Sequence, residues 1–172
     1  MLVMTIGHST RTLDDFVGLL AAHGIAGLAD VRRFAASRRH PHFAGDALAR
    51  TLPARGIEYH HYPALGGRRV PRADSANAGW QHPAFRAYAD HMATAEFGSA
   101  LEELLAVATR VRVAIMCAEA PWWRCHRRLL ADALVARGIE VRHIMSAERA
   151  PAHELTAFAR VDDGQVRYPG LF

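Results

Sequence analysis

The sequence predicts an α/β fold. It expects one domain, residues 1–172, with a mostly parallel five-stranded sheet, helices on both faces and a short C-terminal hairpin. Three observations predict it. Short apolar runs of strand length alternate with stretches of helical period, the pattern of strand–crossover–strand units. The run Val111–Met116 is rich in β-branched residues and does not alternate at its end, as a strand buried on both faces requires. A chain of 172 residues, 51% of them hydrophobic, can build one sizeable core.

Taken in order, Leu2–Ile6 is the first strand and Gly7-His8-Ser9 its exit loop. Thr12 caps a helix whose Leu13, Phe16, Val17 and Leu20 share one face, and Gly24 stops it. Ile25–Val31 returns as the second strand, followed by the arginine-rich loop Arg33–Gly45. Asp46 is placed to cap a short helix through Thr51, which Pro53 and Gly56 break. Ile57–Tyr62 is the third strand, and Pro63–Gln81 the longest loop. Helices are predicted over His82–Thr94 and Gly98–Thr109. The central strand then ends at Cys117, and the loop Ala118–Arg124 leads to a helix whose first turn is Cys125-His126-Arg127-Arg128. Ile139–Ile144 is the fifth strand, Ala152–Ala159 a helix, and Asp163-Gly164 the turn of a hairpin.

Right-handed crossovers put every carboxyl end of a parallel sheet on one rim, where ligands bind in such folds. His8, Asp30, Arg32, Cys117, Glu119, Cys125, His126 and Arg127 are therefore expected to line one polar pocket. Cys125, at a helix amino end among arginines, is a candidate thiolate nucleophile; the plain alternative is a small buried apolar residue. Cys117 is either core or a second functional thiol, and the two together allow a reversible disulfide, although their spacing is not that of a CxxC redox pair. The first arginine after Cys117, Arg124, comes one position later than in phosphatases and rhodanese-like sulfurtransferases. His126 and Glu119 are candidate proton carriers, Glu119 also a candidate loop fastener, and Asp30, counted with the catalytic candidates, either fixes a loop or orients an arginine for an anion.

All 21 basic residues are arginine, which excludes a Schiff-base lysine and a P-loop lysine. Forked guanidinium groups suit phosphate and carboxylate. Arg32, Arg38 and Arg127, with Gly7, His8, Ser9, Ser37, Gly66 and Gly67, are the expected anion-binding set. Eleven histidines invite a metal or haem reading through His40/His42, His60/His61, or His8 with the cysteines. No HxxxH or paired CxxC spacing supports it, so no metal ligand is assigned and no cofactor is required by the sequence.

Thr5–Thr10 (TIGHST), Asp30–Arg32 (DVR), Ser37–Phe43 (SRRHPHF), Leu65–Arg69 (LGGRR) and Cys117–Arg127 (CAEAPWWRCHR) occur in this order along most of the chain. In this combination the chain resembles the domain-of-unknown-function 488 family. It departs from the family where a proline is usual after DVR and two further residues, since Ala35 stands there. The resemblance implies a compact α/β domain whose motifs share a pocket, and it brings no reaction with it.

The residues themselves predict a small cytoplasmic enzyme, a thiol-dependent transferase or hydrolase acting on an anionic or nucleotide-like small molecule. The chain has no apolar run of membrane-spanning length and no signal-peptide pattern at its start. Two alternatives stand beside the enzyme. One is a non-catalytic nucleotide or nucleic-acid binding module using Arg32–Arg39 and Arg68–Arg72 with Phe34, Phe43, Tyr59 and Trp80. The other is the metal or haem protein. Oligomeric state is left open.

Overall fold

A computed structural model describes residues 1–170. Five strands form one parallel sheet: β1 (Leu2–Gly7), β2 (Gly27–Asp30), β3 (Glu58–His61), β4 (Val113–Cys117) and β5 (Glu140–His143), in the order β3-β2-β4-β1-β5. Strand β4 lies between β1 and β2 and is buried along its whole length, as its unbroken apolar run requires. Its register with β1 runs from Val3 opposite Val113 to Gly7 opposite Cys117.

Side-chain alternation divides the core into two layers. Met4, Ile6, Leu28, Ala114 and Met116 face helices α1 (Leu13–Ala22) and α2 (Gly45–Thr51), meeting Phe16, Leu20 and Leu48. Val3, Ala29, Val113, Ile115 and Val141 face α3 (Pro83–His91), α4 (Ala95–Ala108) and α5 (Arg127–Val135), meeting Tyr88, Leu101, Leu104 and Leu130. A two-stranded hairpin, β6 (Arg160–Asp162) and β7 (Gln165–Arg167), turns at Asp163-Gly164, where both φ angles are positive. No helix among the described residues is long and apolar enough to cross a membrane.

Four expected boundaries differ from the structure. Residues 152–159 form no helix: Ala152 bridges to Arg142, His153 N–H donates to the Val141 carbonyl, and the segment runs along β5. Asp132 holds the His153 side chain and the Thr156 backbone N–H inward, and a helix would commit that N–H to its own ladder. Asp46 does not cap α2; Ala44 is the cap, and Asp46 lies in the first turn, where a carboxylate still opposes the helix dipole. Thr94 does not end α3 but caps α4, accepting from Phe97 N–H, so α4 begins earlier than Gly98. Cys125 is not in the first turn of α5. It is extended (φ −133°, ψ 175°), after a 3-10 turn over Trp122–Arg124, and His126 is the cap residue.

Gly7 shows why the first motif needs a glycine. A Cβ there would sit 1.8 Å from the Glu119 carbonyl oxygen, because the loop after β4 crosses directly above the end of β1. Gly7→Ala is expected to destabilise the protein by about 3 kcal/mol, the upper end of ordinary overpacking costs. Urea unfolding checks this, and an unchanged midpoint would show that the loop moves aside freely.

Candidate functional site

The two cysteines meet at the carboxyl edge of the sheet. Cys117 ends β4, Cys125 follows the 3-10 turn, and their Sγ atoms lie 3.2 Å apart as free, buried thiols. Arg127 is the third member. Its Nε donates to Cys125 Sγ at 3.4 Å, its Nη1 to Thr5 Oγ1 at 3.2 Å, and its Nη2 to the carbonyls of Glu119 (2.6 Å) and Ala120 (3.1 Å). One guanidinium thus pins the loop between the cysteines to β1 and to the thiol.

Arg127 is only 1% exposed, and no carboxylate among the described residues lies within 4.0 Å of it. A buried cation needs a counter-charge. The group in contact that can supply one is Cys125. The hydrogen bond from Cys117 and the Arg127 charge together lower the Cys125 pKa to about 6, against the opposing effect of burial. Burial and the Cys125 partner push Cys117 well above the usual thiol range. Both shifts act in one sense, favouring ionisation of Cys125 over Cys117.

Two neutral histidines flank this centre. His126 Nε2 donates to the Val31 carbonyl at 2.8 Å, burial lowers its pKa to about 4, and its Nδ1 lies against Gly67. His8 stacks on Phe43 with centroids 4.4 Å apart and donates from Nδ1 to the Ser9 carbonyl, leaving Nε2 as an acceptor. Burial holds its pKa at about 4. Ser9 itself takes a positive φ of 50°, and its N–H donates to Ala118.

Other expected site residues are engaged within the fold. Asp30, fully buried, accepts from Arg32 Nε (2.8 Å), Arg32 Nη2 (2.6 Å), Arg32 N–H and the Tyr59 hydroxyl. Arg32 Nη2 also reaches the Phe43 carbonyl. Asp30 thus orients Arg32, the second of the two roles open to it from the sequence, and Arg32 spends its fork on protein groups. Arg127, expected as an anion clamp, is likewise turned inward. The Glu119 side chain is exposed, and it is the Glu119 backbone carbonyl that fastens the loop. Gly66 packs on the Arg33 backbone, where a Cβ would come within 2.4 Å of nitrogen, and its N–H donates to Pro63.

A cleft of about 530 Å³ opens beside the Asp30–Tyr59 pair, lined by Ser37, Arg38, Asp46, Tyr59, His61 and small residues around them. None of the residues expected to share one pocket lines it; the thiols sit under their own loop at the same edge. Arg11, Arg33, Arg38, Arg39, Arg68, Arg69 and Arg124 stand on the loops leaving the strands, and none has a carboxylate within 4.0 Å among the described residues. Arg110 and Arg137, on loops entering the sheet, are paired with Glu58 and Glu102. Among the described residues, no group of three or more His, Cys, Asp or Glu side chains is arranged to hold a metal ion.

Sequence reasoning missed a second buried constellation behind Arg127. Thr5 Oγ1 contacts His143 Nδ1 at 2.7 Å, His143 Nε2 contacts His153 Nδ1 at 2.9 Å, and His153 Nε2 contacts Asp132 Oδ1 at 2.7 Å. The signal available was Asp132 itself, a carboxylate within the apolar run of α5.

The family model described as Domain of unknown function DUF488 matches residues 12–134. No curated protein and no solved structure matches the chain.

Proposed function

The chain belongs to the DUF488 family, whose description names no reaction, and from the site itself we propose that it is a thiol-dependent enzyme acting on an anionic small molecule. The observation that carries this reading is the buried Arg127, with no carboxylate beside it among the described residues, set against Cys125 and Cys117. Such a centre is arranged to keep one sulfur ionised near neutral pH, and the thiolate is the nucleophilic form. In this reading the Cys125 thiolate, stabilised by Cys117 S–H, attacks the electrophilic atom of the substrate and displaces its leaving group, and water or an acceptor then takes the bound group from sulfur and restores the thiolate. The neutral His8, with Nε2 open as an acceptor, carries a proton. The carboxylate-free arginines on the strand-exit loops supply attraction for the anion. A reducing compartment such as the cytoplasm suits a free thiol pair.

The test is the rate of Cys125 alkylation by iodoacetamide as a function of pH, read by peptide mass. Half-maximal reactivity is expected at about pH 6, following the lowered pKa. Cys117→Ala should move it upward, since the Cys117 hydrogen bond is the largest cause of the shift. Inorganic phosphate should slow alkylation by occupying the arginine rim. A midpoint at or above that of an ordinary thiol, about 8.5, would remove the nucleophile.

One observation favours a binding module instead: Phe34 is 62% exposed, with Arg33 5.6 Å from its ring centroid, a stacking and phosphate surface. Binding to single-stranded DNA or RNA that weakens steeply with salt, with no loss in Cys125→Ser, would select that reading.

A further inference from the structure

We infer that Thr5, His143, His153 and Asp132 are positioning residues for the thiol centre, a buried hydrogen-bonded chain that fixes Arg127 against Cys125. The inference rests on the reading of Cys125 as a thiolate. It adds residues from β1, β5, α5 and the segment after β5, and no sequence motif connects them.

With both imidazoles neutral, the sense of every bond in the chain follows from its carboxylate end. Asp132 is fully buried and accepts from His153 Nε2, from the Tyr168 hydroxyl at 2.7 Å and from Thr156 N–H at 3.0 Å. A neutral imidazole has one N–H. With that proton on Nε2, His153 Nδ1 must accept from His143 Nε2–H. His143 Nδ1 must then accept from the Thr5 hydroxyl. The Thr5 oxygen therefore turns a lone pair toward Arg127 Nη1, which donates to it. In the opposite sense, Thr5 would receive from both His143 and Arg127 and its own hydrogen would lose its place in the chain. Burial and the neighbouring His153 and Arg127 lower the His143 pKa to about 3, in keeping with a neutral ring.

The geometry reaches the thiol because a guanidinium is a rigid plane. Holding Nη1 on Thr5 sets the direction of Nε, which faces Cys125 Sγ. Trp122, from the loop between the cysteines, lies flat on His143, with centroids 4.2 Å apart and planes 3° from parallel. His143 is thus held by a ring from the thiol loop and by hydrogen bonds at both nitrogens. Anchoring of the C-terminal segment needs only the bonds from His153, Thr156 and Tyr168 to Asp132. The link through His143 and Thr5 to Arg127 adds nothing to that anchor, so the two roles can be separated.

Thr5→Val removes the hydroxyl and keeps the shape; Thr5→Ser keeps the hydroxyl. The Cys125 alkylation midpoint is expected to rise by about one pH unit in Thr5→Val, the size of shift that a displaced neighbouring charge produces, and to return in Thr5→Ser. In the wild-type protein, ¹⁵N NMR should find the proton of both His143 and His153 on Nε2. A low wild-type midpoint unchanged in Thr5→Val overturns the positioning role and leaves the proposed function standing. A proton on His143 Nδ1 overturns the chain without any variant. An ordinary thiol midpoint in the wild type overturns the proposed function, and this inference falls with it.

Discussion

Acidification from pH 7 to pH 4 is expected to unfold the protein. Burial holds His8 and His126 at pKa values of about 4 and His143 at about 3. In the unfolded chain each titrates near 6.5. Above that value both states are neutral and the histidines cost nothing. Below it the unfolded chain binds protons that the folded chain refuses, so stability falls as pH falls. The slope is about 1.4 kcal/mol per pH unit for each histidine, until its folded pKa is reached. Three such groups together approach the whole stability of a domain, about 5–15 kcal/mol. The thiols act higher on the scale. Cys125, with its lowered pKa, loses stabilisation as pH falls from about 9 to about 6, and Cys117, raised, opposes folding above about 9. Urea midpoints at pH 7, 6, 5 and 4 measure the acid limb. His8→Asn, which keeps a donor for the Ser9 carbonyl, should flatten it by one histidine's share. A midpoint constant from pH 7 to 4 would mean that these rings are wet.

Arg127→Met should be the most damaging single substitution at the site. It keeps the length and apolar stem but removes the donors to Cys125, Thr5, Glu119 and Ala120. Cys125 loses its cation but keeps the Cys117 hydrogen bond, so its pKa should rise part of the way from about 6 toward that of an ordinary thiol. Alkylation at pH 7 should slow by roughly 2- to 10-fold, as a rise of about one to two pH units in the midpoint produces. Breaking a buried, hydrogen-bonded charge centre typically costs about 3–5 kcal/mol, which thermal unfolding would show. Arg127→Lys should recover little, because an ammonium donates from one atom and cannot span the acceptors that Nε, Nη1 and Nη2 reach separately. Wild-type alkylation rates in Arg127→Met would refute the pairing of guanidinium and thiolate.

The order of strands and helices was legible because the apolar runs carry it: Val111–Met116 is β4 in all but its first residues, and the Thr12 cap stands where α1 begins. The gathering of His8, Asp30, Arg32, Cys117 and Cys125 at one edge follows from parallel topology alone. Which partner each side chain takes was not legible, because that is decided by a few ångströms. Arg32 and Arg127 look alike as cations in a loop and a helix start, yet Asp30 neutralises one and a cysteine faces the other. Asp30 and Asp132 likewise differ only in what folds against them. The chain from Thr5 to Asp132 joins residues far apart in sequence, with no shared spacing to reveal them. Residues 152–159 misled for a simpler reason: alanine and leucine suggest a helix, and two inward polar anchors override that preference.

Strand β1 has a consequence for how the nascent chain matures. It is the first strand made, yet its neighbours on both sides are late: Val3 lies opposite Val113 and Val141. Strands β2 and β3 can pair as soon as both have left the ribosome. At roughly 10 residues per second, β1 waits on the order of ten seconds for β4. Through that interval the segment LVMTIG presents unpaired backbone and apolar side chains to whatever is nearby. Chaperone dependence during translation should therefore concentrate at the β1 segment, and a stalled chain ending before Val113 should aggregate through it.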